Sequence, residues 1–296
     1  MQSSGNMARM IRRWFILARD VAGATWHRAA RQDLMLISAG LTLYAGIAVV
    51  PLLLFGLYGA GLLLGSQRVA DLVAQLSTFA PDGLGASEVL RTLGAVGPRL
   101  GVPALIASVV TASTYGEGLL RAVDTLEGDH RAATSLRGRL LALPYLGVFP
   151  LVTMAGLATV ALLPDMLGTG RTGQVLGVYV TFWVGWLSAA ALLTVLYRLF
   201  AGRRLHWTAI VWGALAAGSF LAGMSLGWVL VLEFGITIGQ AYGGSEQLGR
   251  IVLAAIYLLF VQYAVLIGYL LVLSIDRHLP GPHPTELQPP RQNAGS

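Results

Sequence analysis

From Leu34 to Gly65 the chain reads LMLISAGLTLYAGIAVVPLLLFGLYGAGLLLG, with no charged residue after Asp33. About 20 apolar residues cross roughly 30 Å of hydrocarbon at about 1.5 Å rise per residue, and this run is longer. A segment of this kind has to lie in a bilayer, and its surplus has to tilt, bend or leave the hydrocarbon. Pro51 stands near its middle. It has no N–H for the Ile47 carbonyl and its ring crowds that carbonyl, so a helix bend at Pro51 is expected. Small residues flank the proline: Ser38, Ala39, Thr42, Ala45 and Gly46 before it, Gly56, Gly59, Gly61 and Gly65 after it. They let other helices approach closely, and Gly61 and Gly65 have the spacing of a packing motif. The segment reads as a bent central helix against which the others pack.

The rest of the composition agrees. Of 296 residues, 55% are hydrophobic and 11% charged, against about 25% charged in an ordinary soluble domain. All 20 basic residues are arginine, and there is no cysteine. Disulfides, thiolate nucleophiles and thiolate metal sites are thereby excluded. A formal net charge of +6 raises the question of nucleic acid. In a membrane protein, loops on the cytoplasmic side explain it first.

Taken in order, residues 1–6 read as a disordered N-terminus. Residues 7–32 read as an interfacial amphipathic helix carrying Arg9, Arg12, Arg13, Arg19, Arg28 and Arg31, with Trp14, Phe15, Leu17, Val21 and Trp26 as its apolar side. No short apolar run with a small-residue cleavage site follows, so the segment is not read as a signal peptide. A six-span membrane domain is expected over 33–275. It includes an outer-surface helical hairpin at 66–99, made of amphipathic stretches Arg68–Phe79 and Ala86–Val96 around a Pro81-Asp82-Gly83 turn. After the first span, the others are expected over Leu100–Leu119, Leu140–Leu163, Val175–Tyr197, Trp207–Leu232 and Gly249–Ile275. Residues 276–296, rich in proline and polar residues, read as a disordered cytoplasmic tail. The fold class expected is all-α and polytopic.

This map places fifteen of the twenty arginines on one side, and only Arg68, Arg91, Arg99, Arg171 and Arg250 on the other. By the positive-inside rule both termini face the cytoplasm. The loops on that side are too short for an ATPase or any other soluble catalytic domain.

The order of features resembles the YihY/virulence factor BrkB family of bacterial inner-membrane proteins. The resemblance spans roughly Trp14 to His278. It rests on Ser38-Ala39-Gly40-Leu41-Thr42-Leu43-Tyr44 with Val50-Pro51-Leu52-Leu53, and on Gly118-Leu119-Leu120-Arg121-Ala122-Val123-Asp124-Thr125-Leu126. Arg203-Arg204-Leu205-His206-Trp207 and Tyr242-Gly243 complete it. It implies a six-spanning fold in the bacterial inner membrane. The family has been labelled ribonuclease BN and has been associated with envelope integrity and lipid transport. Members often carry Gly-Ala-Glu near the end of the last span, where this chain reads Gly268-Tyr269-Leu270.

Few residues suit chemistry. Glu117, Arg121 and Asp124 fall at i, i+4 and i+7 on one helical face, and Ser108, Thr111 and Tyr115 continue a polar stripe on the preceding turns. Ionisable groups near a membrane helix end need a partner or water, so this stripe is the first candidate for a transport path. An interfacial ion pair that merely ends the helix is the plainer alternative. Glu233 ends the fifth span at the opposite face, beside a glycine-rich stretch. Gln262, near the middle of the last span, needs a hydrogen-bond partner within the bundle. Arg198, Arg203 and Arg204 are candidate contacts for lipid headgroups.

The five histidines are scattered, and no metal-ligand spacing or phosphate-binding glycine loop is present. The expectation is therefore a non-enzymatic protein with no cofactor, no metal and no nucleic-acid partner, in contact with membrane lipids, including anionic phospholipid. Two functions fit. A transporter of a lipid or other amphiphile predicts a polar or lipid-filled cavity between spans. A scaffold for envelope integrity or assembly predicts a tightly packed bundle and an exposed apolar patch on the hairpin.

Overall fold

The computed structural model describes residues 19–77, 86–128, 136–146, 148–149, 152, 171–233 and 242–279. Every regular element among them is helical. They are α1 (19–31), α2 (Leu34–Leu64), α3 (Ser66–Ser77), α4 (Ala86–Val96), α5 (Val102–Glu127), α6 (136–146), α7 (Arg171–Phe200), α8 (Trp207–Glu233) and α9 (Glu246–His278).

The apolar run forms a single helix, α2. It starts where the Asp33 side chain accepts the Leu36 N–H at 3.2 Å, which satisfies one of the orphan donors of a first turn. It stays helical through Pro51 and stops at Gly65, whose φ of +87° favours a residue without a Cβ. Gly61 and Gly65 therefore do different work. A Cβ on Gly61 would lie 2.9 Å from the Pro98 Cβ, whereas one on Gly65 would meet nothing within 4 Å. The first is a packing glycine and the second a helix terminator.

Among the described residues, four helices are long and apolar enough to cross a membrane: Leu34–Leu64, Val175–Phe200, Trp207–Trp228 and Glu246–His278. The expected second span corresponds to α5, which reaches that threshold only together with the preceding Ser87–Arg99, across a bend of 119°. Its hydroxyl, glycine and charged residues from Ser108 to Asp124 dilute its hydropathy. Only the start of the expected third span is described, as α6. Most of it, and the Pro81-Asp82-Gly83 turn, lie outside the described residues, as do 1–18 and 280–296.

The hairpin forms as two helices. Val69 and Val73 of α3, Leu93 of α4, and Leu57 and Ala60 of α2 make a separate small core. Arg91 Nε donates to Ser77 Oγ at 2.9 Å across it. The short turn Gly97–Arg99 then presses onto α2, where a Cβ on Gly97 would lie 2.7 Å from that of Leu57.

The main core joins α2, α5, α7, α8 and α9. α2 packs along α5 and α9, α8 lies between α7 and α9, and α6 sits against α5. Lipid tails are as apolar as leucine, so close backbone approach and hydrogen bonds do the associating here. The Tyr44 ring seats on Gly118, where a Cβ would come within 2.5 Å of it, so two segments quoted for the family resemblance meet between α2 and α5. Gly116 and Gly138 bring α5 and α6 together. Trp186 Nε1 donates to the Leu215 carbonyl at 2.7 Å between α7 and α8. Ser225 and Tyr257 are bonded at 2.9 Å between α8 and α9.

Outward, the helices are as apolar as inward: Leu43, Ile47, Ile106, Val110, Leu187, Trp212, Phe220, Ile251 and Phe260 are all exposed. A surface of this kind on several long helices suits hydrocarbon, not water.

One boundary and one helix face differ from expectation. The tail expected from Asp276 begins later, because α9 runs through Asp276 and Arg277 to His278. Asp276 is buried, its charge met by groups on another loop, so the end of the apolar pattern at Ile275 does not mark the end of the helix. In α1, Val21, Thr25 and Ala29 turn inward while Trp26 is exposed, so Val21 and Trp26 do not share a face.

Candidate functional site: an apolar cleft and an arginine-lined recess

A cleft of about 230 Å³ opens between α2, α5, α6, α7, α8 and α9. Ala45 and Ala48 of α2, Leu192 and Leu193 of α7, Leu221 of α8 and Leu258 of α9 give it apolar walls. Its polar feature is the hydrogen bond from Tyr115 Oη to Gln262 Oε1, at 2.9 Å. This is the partner that a glutamine deep in a membrane helix requires. Tyr145 of α6 also lines the cleft.

At Val265, another lining residue, the cleft meets a closure made by Tyr197 and Tyr269. Both rings are buried, with centroids 5.6 Å apart. Tyr197 Oη donates to the Val265 carbonyl at 2.9 Å, and Tyr269 Oη donates to Glu127 Oε1 at 2.5 Å. Gly268 makes room for this arrangement, because a Cβ there would collide with the Tyr197 hydroxyl.

Glu127 also borders a second opening, of about 410 Å³, at the end of the bundle where α5 and α9 finish. Arg28, Arg31 and Gln32 line it from α1 and the turn after it, Arg203 from the α7–α8 loop, and Leu273 and Arg277 from α9. α5 stops here because Gly128 takes a left-handed φ of +72° and its N–H bonds back to the Asp124 and Thr125 carbonyls. Burial, then the neighbouring charges of Arg277 and Arg203, push the Arg28 guanidinium below its ordinary pKa. Beside the recess, Asp276 accepts the His206 N–H at 2.9 Å, lies 2.8 Å from His206 Nδ1, and pairs with Arg203 at 3.5 Å. That carboxylate sits at the N-terminus of α8, where the helix dipole favours it.

The sequence candidates separate in space. Tyr115 reaches the cleft. Ser108 is buried on α5, and Thr111 turns its hydroxyl back to the Ala107 carbonyl of its own helix at 2.8 Å. Glu117 is buried and pairs with Arg121 at 2.7 Å and Arg139 at 3.3 Å, which ties α5 to α6. Asp124 is buried one turn before the helix end. Of the stripe, Tyr115 lines the cleft and Glu117 ties α5 to α6. Glu233 is the last residue of α8, and its side chain lies outside the described residues.

Of the arginines proposed for headgroups, Arg203 lines the recess. Arg198 stacks over Trp207 at 5.1 Å from the ring centroid, and Arg204 is exposed outside the recess. Arg28, Gln32, Glu127, Tyr197, Tyr269 and Arg277 were not singled out from sequence. Gly268-Tyr269, where the chain departs from the family's usual triplet, was the one signal at hand.

Long helices apolar on all sides, small residues at their contacts and buried interhelical hydrogen bonds define a helical membrane protein. The chain belongs to the virulence factor BrkB family, whose profile matches residues 25–293. No curated protein and no solved structure matches it.

Proposed function

We propose that the chain moves a lipid or other amphiphile of the envelope across the bacterial inner membrane. The observation that carries this reading is the stacking of an apolar cleft, a tyrosine closure and an arginine-lined recess in one bundle. An amphiphile needs apolar walls for its chain and cations for its head, in that order along the membrane normal. The topology of the proposal is six spans with both termini cytoplasmic, the third continuing from α6 through residues outside those described. The recess then faces the inner leaflet. No chemical step is assigned to any residue.

The cleft is below the roughly 300–1,000 Å³ of pockets that enclose a drug-sized ligand. The present arrangement therefore holds a short stretch of hydrocarbon, and passage requires Tyr197 and Tyr269 to part and α2 to move against α5 or α9. Helix motions of this kind underlie alternating access in other transporters.

Lipid exchange in proteoliposomes tests the reading, with empty vesicles, Ala189→Phe and Glu117→Gln in parallel. Ala189 lines the cleft, so a phenyl ring there fills it. Exchange faster than in empty vesicles, abolished by Ala189→Phe and retained by Glu117→Gln, is the expected result. Exchange of the wild type at the empty-vesicle rate would remove passive lipid movement and favour a scaffold, for which Val89 and Val96 are exposed apolar residues among those described on the hairpin.

A further inference from the structure

The recess carries an inference that does not depend on transport. Four arginines, Arg28, Arg31, Arg203 and Arg277, line one concavity from three separate parts of the chain, and the charges of Arg277 and Arg203 act on Arg28. Two carboxylates near them, Glu127 and Asp276, are engaged: Glu127 by the Tyr269 hydroxyl and the Gly202 N–H, Asp276 by His206 and Arg203. Arg28, Arg31 and Arg277 form no ion pair with a described residue. The positive-inside rule accounts for arginines in loops, but not for their convergence at the cost of mutual repulsion and partial burial of Arg28. Planar guanidiniums held together in this way match the oxygens of a phosphate group, which they can bind bidentately.

Gln32 adds a second requirement. Its Nε2 donates to the Leu126 carbonyl at 3.2 Å, which leaves Oε1 buried without a donor among the described residues. A buried acceptor of this kind calls for a donor, and a bare phosphodiester has none.

We propose that this recess is a binding site for a phosphate ester bearing a hydroxyl group, with Arg28, Arg31, Arg203 and Arg277 on the phosphate and the Gln32 side chain turning its Oε1, enclosed in the unliganded arrangement, to accept from the hydroxyl. A glycerol-type lipid headgroup and a soluble glycerol phosphate share this chemistry. The lipid source would place its chains toward the bundle. The soluble source would reach the recess from the aqueous side.

Binding is measured on the full chain in detergent micelles, using short-chain phosphatidylglycerol, short-chain phosphatidylcholine, glycerol phosphate and inorganic phosphate as separate probes. The variants are Arg31→Gln and Arg277→Gln, both at exposed positions, with Arg204→Gln as a charge-matched substitution outside the recess. The expected result is binding of phosphatidylglycerol ahead of phosphatidylcholine, weakened roughly tenfold by Arg31→Gln or Arg277→Gln and less than twofold by Arg204→Gln, as loss of a charged hydrogen bond implies. Glycerol phosphate binding with the same variant pattern assigns the soluble source, and its absence assigns the lipid. Equal weakening by all three substitutions, or no preference for phosphatidylglycerol or glycerol phosphate over the other probes, overturns the site. Unchanged binding alongside absent lipid exchange would sink the transport reading alone.

Discussion

Replacing Asp276 tests whether one buried carboxylate holds the end of the bundle. Its side chain is 4% exposed, and it accepts from the His206 backbone and lies within bonding distance of the His206 ring and of Arg203. Asp276→Asn keeps the shape and an acceptor for the His206 N–H but removes the charge. The Arg203 side chain is 38% exposed and its contact is 3.5 Å, so that pair is discounted to about 1 kcal/mol or less. A neutral acceptor in place of a charged one loses on the order of 1 kcal/mol more. Asp276→Asn is therefore expected to cost about 1–2 kcal/mol. Asp276→Ala also strands the His206 N–H beside the start of α8, and is expected to cost about 2–4 kcal/mol. Denaturant unfolding in mixed micelles, followed by circular dichroism, measures both. Were Asp276→Ala to fall within about 0.5 kcal/mol of the wild type, the carboxylate would not be the clasp described.

Substitutions at four further sites probe the helix contacts. Tyr115→Phe removes the bond to Gln262 and is expected to cost about 0.6 kcal/mol and at most about 1.7, the average and the maximum for interhelical hydrogen bonds in a membrane protein. In a double-mutant cycle, Gln262→Leu should recover most of that loss, and strict additivity would refute the pairing. Gly116→Ala would place a Cβ 2.5 Å from the Gly138 carbonyl oxygen and 2.6 Å from the Ala142 Cβ, forcing α5 from α6 at a cost of about 1–3 kcal/mol. Gly46, with nothing within 4 Å of its notional Cβ, should accept alanine with a gain of about 0.5–1 kcal/mol. The same unfolding assay separates the two glycines, and equal effects would refute the packing argument.

Several elements were legible because their signals are local. The Leu34–Leu64 helix follows from an uninterrupted apolar run, and the Ala86–Val96 helix from its amphipathic period. Gln262 announced its need for a partner by being polar at mid-span. The partner itself was not legible, because Tyr115 lies 147 residues away. Glu117 was noticed for its charge, yet its burial against Arg139 depends on how α6 docks. Arg28 and Arg277 looked like any juxtamembrane arginines, since sequence separation hides their convergence.

That this chain lives in a bilayer as a set of long helices follows from its residue order alone, because hydrocarbon admits only segments that satisfy their own backbone and present apolar side chains. So does the family, through short segments whose residues sit at close helix contacts, such as Tyr44 on Gly118. Which polar groups share a space depends on how the helices pack. The cleft, the Tyr197–Tyr269 closure and the four-arginine recess each draw on helices far apart in the chain. Their geometry is set by interhelical distances, which small residues permit but do not specify.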